Sequence, residues 1–382
     1  MTEKTLPDSL LEFLRETEEK GLSETEKAIA LQKFLRFQTW KKGIPFAGTL
    51  ELTPLCNLSC RMCYVHLTQR QMGERELLTS GQWKYLIDEA VKAGMLRATL
   101  TGGECLTFPE FDEIYLHLLE HGVQTTILTN GILLTEERIR FFQRYPPALI
   151  QITLYGASED DYEHVTGARN FKTVVANIYQ AKDGGLPITI AITPNRFLPD
   201  HGNALIRFVS ALGIPYSINP CLFEPRAETG REKDAIDLTI DDYIHLYTLR
   251  AQLNNVRLER SNPDVLPEPV MHTDKSRFGL LCGAGMNAFG ITWEGTMLPC
   301  FSLRSIQAFP LKDGFTASWR RIHEAALYYP MPAECGECQY HGVCPICPAV
   351  HGQDAPPGHA SPRQCERALK MAEAGFFNPG NS

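Results

Sequence analysis

From Gly48 to about Leu253, short runs rich in β-branched residues alternate with longer amphipathic ones. The runs GTLELT (48–53), RATLT (97–101), VQTTILT (123–129), LIQITLY (149–155), ITIAIT (188–193) and YSINP (216–220) have strand length. They are apolar in the manner of parallel strands covered on both faces. Between them, stretches such as GQWKYLIDEAVKAG (81–94) and FDEIYLHLLEHG (111–122) read as helices, the second closed by Gly122. Strand, loop and helix repeat six times, which predicts an α/β fold with parallel strands and right-handed crossovers. The pattern fits an open doubly wound sheet or an incomplete (β/α) barrel. Either fold places its reactive groups at the carboxyl ends of the strands.

The flanks differ. Residues 8–40 predict two short amphipathic helices, with Leu10, Leu11, Phe13 and Leu14 on one and Ala28, Leu31, Phe34, Leu35 and Phe37 on the other. They are expected to cap the main domain. Residues 255–280 carry three prolines and mixed charge and read as a linker. From Leu281 onward Gly, Pro and Cys dominate, except for a hairpin pattern, FGITWEGTML, turning at Glu294-Gly295. The expected organisation is a helical cap (1–47), the main α/β unit (48–254), a linker (255–280) and a small irregular domain (281–382). With so little apolar content the last needs another staple, and metal ligation is the natural one.

Composition narrows the class. Of 382 residues, 43% are hydrophobic and 21% charged, as in a soluble globular protein. No run approaches the roughly 18 apolar residues needed to span a bilayer. The opening MTEKTLPDSLLEFLRETEEK lacks the basic start and apolar centre of a signal peptide, so a cytoplasmic location is expected. A net charge of −8 argues against non-specific nucleic-acid binding.

Twelve cysteines in such a chain point to metal or chemistry rather than disulfides. Strand 1 runs into TPLCNLSCRMCYV, the spacing Cys56-x3-Cys60-x2-Cys63. Three thiolates on one loop can hold three corners of a [4Fe–4S] cube and leave one iron open, the arrangement of a metal that binds and reacts. Zinc is the alternative, but the loop lacks a fourth ligand, His66 being the nearest candidate. The second strand ends in Thr101-Gly102-Gly103-Glu104, whose glycines permit close backbone approach to a ligand and whose carbonyls and carboxylate can accept from an ammonium.

CxxxCxxC after the first strand and GGE after the second resemble the signature of the radical SAM family. The resemblance implies a partial (β/α)6 TIM-like barrel, with a cluster that chelates S-adenosylmethionine (SAM) and cleaves it reductively to a 5′-deoxyadenosyl radical. It implies that Tyr64 packs near the adenine and that Gly102, Gly103 and Glu104 meet the SAM amino group. It further implies polar contacts to ribose or methionine from the ends of strands 3 and 4. There the candidates are Thr129 and Asn130, in Thr129-Asn130-Gly131, and Thr153, together with Arg169 for the carboxylate.

The C-terminal seven cysteines are Cys282, Cys300, Cys335, Cys338, Cys344, Cys347 and Cys365, an awkward number for zinc at four ligands per site. They resemble the family's SPASM extension, which carries two auxiliary [4Fe–4S] clusters and brings the total to three. The last central pair is separated by two residues where the extension usually has three. Carried over, Cys335, Cys338, Cys344 and Cys365 close one cluster, and Cys282, Cys300 and Cys347 hold the other without an evident fourth ligand.

Cys105 takes the place of a proline that often follows GGE, and Cys221 follows strand 6. Either is a candidate hydrogen donor to a substrate radical, the plain alternative being a buried free thiol. SPASM-bearing members mostly act on peptides, so the expected substrate is a ribosomally made peptide, modified by a crosslink, thioether or other oxidation. Phe301, standing where sulfatase-maturing members carry an acid, argues against that activity. Fewer than 50 residues precede the first strand, so a leader-gripping module is expected to be absent or supplied by a separate leader-peptide-binding protein. The expected reductant is a flavodoxin or ferredoxin. Other readings are a radical epimerase using a cysteine donor, an oxidoreductase acting on a small alcohol or sugar, and a zinc-binding protein without redox chemistry.

Overall fold

A computed structural model of the protein describes residues 8–219, 238–254, 280, 282–338, 340, 344, 347–352 and 354–376. All six expected strands form: β1 (Ala47–Glu51), β2 (Arg97–Thr101), β3 (Gln124–Thr129), β4 (Leu149–Leu154), β5 (Ile188–Ile192) and β6 (Tyr216–Ile218). Each pairs in parallel with the next, and helices between them cross back over the sheet. The order β6-β5-β4-β3-β2-β1, continued by β7 (Ala288–Ile291) and β8 (Met297–Leu298), leaves β6 and β8 as edges among the described residues, so the sheet is an incomplete barrel.

The helices obey their sequence periodicity. On Ser80–Ala93 the buried residues are Trp83, Leu86, Ile87 and Ala90, and on Phe111–Glu120 they are Phe111, Ile114, Tyr115 and Leu118. Both sets follow i, i+3, i+4, i+7, one apolar stripe facing the sheet. Each large apolar side chain so buried contributes about 1.5–3 kcal/mol.

The hairpin lies where the sequence places it but belongs to the barrel's own sheet. Strand β7 (Ala288–Ile291) pairs in parallel with β1, and β8 (Met297–Leu298) folds back antiparallel through Glu294-Gly295. Gly295 takes φ +82°, the left-handed conformation the turn requires.

The N-terminal helices, Asp8–Glu19 and Glu24–Lys42, form as expected, with a Ser23/Glu26 capping box opening the second. The second helix makes contacts with the cysteine-rich segment. The second helix turns Trp40 into an apolar group with Leu280, Met286, Leu303 and Ala326, away from the main barrel core. Trp40 Nε1 donates to the Cys282 carbonyl at 3.1 Å, and Asn287 Nδ2 donates to the Arg36 carbonyl at 2.9 Å. The indole needs a buried acceptor as well as apolar cover, and the cysteine-rich segment supplies both. Among the described residues no helix is long and apolar enough to cross a membrane.

Candidate active site

The loop after β1 carries Cys56, Cys60 and Cys63 at the carboxyl edge of the sheet, none of them in a disulfide. The backbone N–H groups of Leu58 and His66 donate to the sulfurs of Cys56 (3.4 Å) and Cys63 (3.2 Å). Burial pushes the Cys56 thiol up to about 12, the Leu58 N–H pulling the other way. An anionic sulfur there needs a neighbouring cation, which a metal supplies. Three cysteines on one loop, with N–H donors already aimed at two of the sulfurs, fit a thiolate-ligated iron–sulfur group.

A helix end and an aromatic ring hold the loop in place. Ser59 N–H and Arg61 N–H donate to the carbonyls of Thr166 (3.1 Å) and Val165 (2.9 Å), at the end of the helix Glu159–Thr166. The Arg61 guanidinium lies 4.2 Å from the Phe197 ring centroid, and its Nη1 is 3.0 Å from His164 Nε2. Tyr155, just past β4, feels all three loop thiols, and burial followed by those sulfurs raises its phenol.

Gly102 and Gly103 sit at the end of β2, where the backbone of the cysteine loop passes directly against them. Gly103 N–H donates to the Thr53 carbonyl at 2.7 Å, and Glu104 N–H to the Leu55 carbonyl at 2.9 Å. A Cβ on Gly102 would stand 2.4 Å from the Thr53 oxygen, and one on Gly103 would stand 2.3 Å from the Leu55 oxygen. The close approach expected for a ligand is therefore made first by the protein's own loop.

The Glu104 carboxylate is buried among donors of the protein itself. It is 1% exposed. Its Oε1 accepts from Thr129 Oγ1 (2.9 Å) and Leu106 N–H (3.1 Å), and its Oε2 from Asn130 N–H (2.7 Å). Burial raises it to about 7 against the pull of those donors. Asn130 carries the link onward. Its Nδ2 donates to Asn57 Oδ1 at 2.7 Å and lies 3.7 Å from Cys56 Sγ, while its Oδ1 accepts from Ile132 N–H. The ends of β2 and β3 are thereby bolted to the cysteine loop.

The other expected residues differ in burial and partners. Thr153 is half-buried on β4 opposite Ala191, and Tyr64 is half-buried in the cysteine loop. Arg169 is exposed and paired with Asp160 (3.2 Å) and with Glu163, which occupies its guanidinium on the surface. Cys105 is completely buried behind Glu104 and donates its thiol to the Leu128 carbonyl at 3.2 Å, an orientation into the fold. Cys221 lies outside the described residues. Sequence reading missed Asn57, Arg61, His164 and Phe197. Asn57 and Arg61 are polar residues inside the thiol spacing itself, which was the available signal.

The C-terminal thiols separate into two neighbourhoods. Cys335 is pushed up to about 12 by burial and then by Cys344, Cys365 and Cys338. Cys300 is raised to about 11 by burial and then, beyond the pull of Ser302 N–H, by Cys282 and Cys347. Cys335 thus has Cys338, Cys344 and Cys365 as its thiol neighbours, and Cys300 has Cys282 and Cys347. Tyr340 N–H donates to Cys338 Sγ at 3.4 Å.

Comparison with known proteins agrees with this geometry. Residues 50–208 match the family described as the radical SAM superfamily. A PqqA peptide cyclase of Rhodopseudomonas palustris is 32% identical over 338 residues, 79% of this chain and 81% of that one. The sporulation killing factor maturation protein SkfB of Bacillus subtilis is 22% identical over 307 residues, 78% of this chain and 70% of that one. The crystal structure of Streptococcus suis SuiB bound to S-adenosylmethionine superposes with TM-score 0.66 at 15% identity, covering 90% of this chain and 84% of that one, a likeness of fold.

Proposed function

Given that this chain belongs to the radical SAM superfamily, we propose that it cleaves S-adenosylmethionine reductively to modify a ribosomally made peptide. The observation that carries this reading is the Cys56–Cys60–Cys63 loop, three cysteines outside any disulfide on a loop bolted to β2 and β3 through Glu104 and Asn130. When bound, the cluster would supply the electron that splits SAM into methionine and a 5′-deoxyadenosyl radical, which takes hydrogen from the substrate.

The chain's own residues prepare for that event. Cys56, Cys60 and Cys63 would hold three irons. The N–H groups of Leu58 and His66 spread the thiolate charge and so tune the potential. Glu104 and Asn130 fix where the loop stands relative to the β2 and β3 ends, so that the ligand-facing backbone is organised before SAM arrives. Tyr64, Thr153 and the carbonyls around Gly102 and Gly103 are the proposed SAM contacts. Arg169 would have to leave its two acids to join them.

Cys335, Cys338, Cys344 and Cys365 would hold one auxiliary [4Fe–4S] cluster. Cys282, Cys300 and Cys347 would hold a second, open at its fourth corner. A peptide substrate is supported by the two relatives, whose names are those of a peptide cyclase and a killing-factor maturation protein. A crosslink or other oxidation of that peptide, with flavodoxin or ferredoxin as reductant and a separate leader-binding protein, completes the proposal.

Co-expression with a short peptide encoded beside the gene, followed by mass measurement, tests the substrate class. Loss of two hydrogens per peptide is expected. An unmodified peptide, together with SAM-dependent oxidation of a small alcohol or sugar by the same preparation, would contradict it.

A further inference from the structure

Away from the thiol loop, the helices Ser80–Ala93 and Phe111–Glu120 pack side by side and bring three metal-ligating groups together. His117 lies in the last turn of the second helix and His121 caps it, a spacing of i, i+4 that puts both rings on one face. Both rings turn to Asp88 on the first helix. Asp88 Oδ1 is 2.7 Å from His117 Nε2 and 3.0 Å from His121 Nε2. The ligand atoms of the three residues all lie within 4.8 Å of one another. On the far side of the His117 ring, Glu120 Oε2 is 3.9 Å from Nδ1.

Two imidazole nitrogens converging on one carboxylate oxygen, with a further carboxylate behind one ring, is the layout of a His–His–carboxylate centre with its outer carboxylate. We propose that His117, His121 and Asp88 bind one divalent transition-metal ion of the zinc class through both Nε2 atoms and the Asp88 carboxylate. The mixed nitrogen and oxygen donors suit zinc, nickel or copper rather than calcium or magnesium, which prefer oxygen alone. The side chains are 18%, 36% and 39% exposed for His117, His121 and Asp88, so water can complete the coordination from the open side.

The site's place in the fold gives it a role. The helix Phe111–Glu120 ends only three residues before β3 begins at Gln124, so the site is at the end where strands start, opposite the thiol loop. The ion clips together the two helices that follow β1 and β2, the strands whose far ends carry the cysteine loop and Glu104. The Lys84–Glu113 ion pair (2.9 Å) joins the same two helices.

The test uses iron-loaded protein freed of loosely held zinc, dialysed against graded zinc with both metals counted. Wild type is expected to take up one zinc with no loss of iron and to melt at a higher temperature. His121→Ala and Asp88→Asn are expected to keep the wild-type iron content and 5′-deoxyadenosine output, bind that zinc at least tenfold more weakly and lose the thermal shift. Zinc uptake equal in wild type and His117→Ala/His121→Ala, uptake only at the expense of iron, or no uptake at all would overturn the assignment.

Discussion

Glu104 Oε2 accepts a hydrogen bond from the Asn130 backbone N–H at 2.7 Å, inside a site sealed from water. Through Asn130 Nδ2 the same contact reaches Asn57 and Cys56, so one carboxylate sets the position of the loop that carries the thiols. Glu104 is thereby a positioning residue of the site, with two oxygens engaged by three donors.

Replacing Glu104 tests that role. In Glu104→Gln the new NH2 group, if set at the Oε2 position, opposes the Asn130 N–H. In Glu104→Ala three buried donors lose their acceptor, at about 1–3 kcal/mol each. Both variants should hold less iron on the first loop and make 5′-deoxyadenosine at least tenfold more slowly, the alanine being worse. Iron analysis and product assay check this, and wild-type values in Glu104→Ala would contradict it.

The same carboxyl gives a pH signature. Burial raises its folded pKa to about 7, above the ordinary carboxylate value. A raised folded pKa stabilises fully below the unfolded value, and the contribution is lost as pH rises through about 7. Relative to Glu104→Gln, wild type should lose roughly 1.4 kcal/mol per pH unit between about 5 and 7 and then level off. Unfolding of the two proteins from pH 6 to 8 checks the sign. A wild-type advantage that grows with pH contradicts it.

Gly103→Ala puts a methyl group 2.3 Å from the Leu55 carbonyl oxygen, a backbone atom that cannot step aside without moving the cysteine loop. Iron retention by the first loop should fall sharply. Gly81→Ala, whose added carbon meets nothing closer than 3.9 Å, is the matched control and should leave iron unchanged. Equal iron in both would show that the loop does not depend on this approach.

Trp40→Ala removes a 7%-exposed indole and its bond to the Cys282 carbonyl, at about 3–5 kcal/mol. Because Trp40 supports the segment that bears Cys282, iron associated with Cys282, Cys300 and Cys347 should drop while the first loop keeps its own. Uniform loss of all iron would indicate general unfolding instead. Trp40→Phe should lie between, losing about 1 kcal/mol for the hydrogen bond.

The strands were legible because each is a short β-branched run bounded by turn residues, and the hairpin because Glu294-Gly295 interrupts an alternating pattern. The thiol spacings were equally local. What was not legible depends on contacts between distant segments. Trp40 and Cys282 are 242 positions apart, and nothing near Trp40 in sequence names its acceptor. Glu104 followed two glycines in a pattern that fits a ligand site or a strand brace equally well. Its donors Asn130 and Thr129 come from the end of another strand, which the local pattern does not show. His117 and His121 have metal spacing, but their third partner, Asp88, comes from another helix.

The loop of Cys56, Cys60 and Cys63 is the proposed holder of the cluster that cleaves SAM. Anaerobically iron-loaded wild type, Cys60→Ala and Cys338→Ala, each given SAM and dithionite, can be compared for 5′-deoxyadenosine over time. Wild type and Cys338→Ala are expected to form it and Cys60→Ala to form none. Production by Cys60→Ala at the wild-type rate would contradict the account.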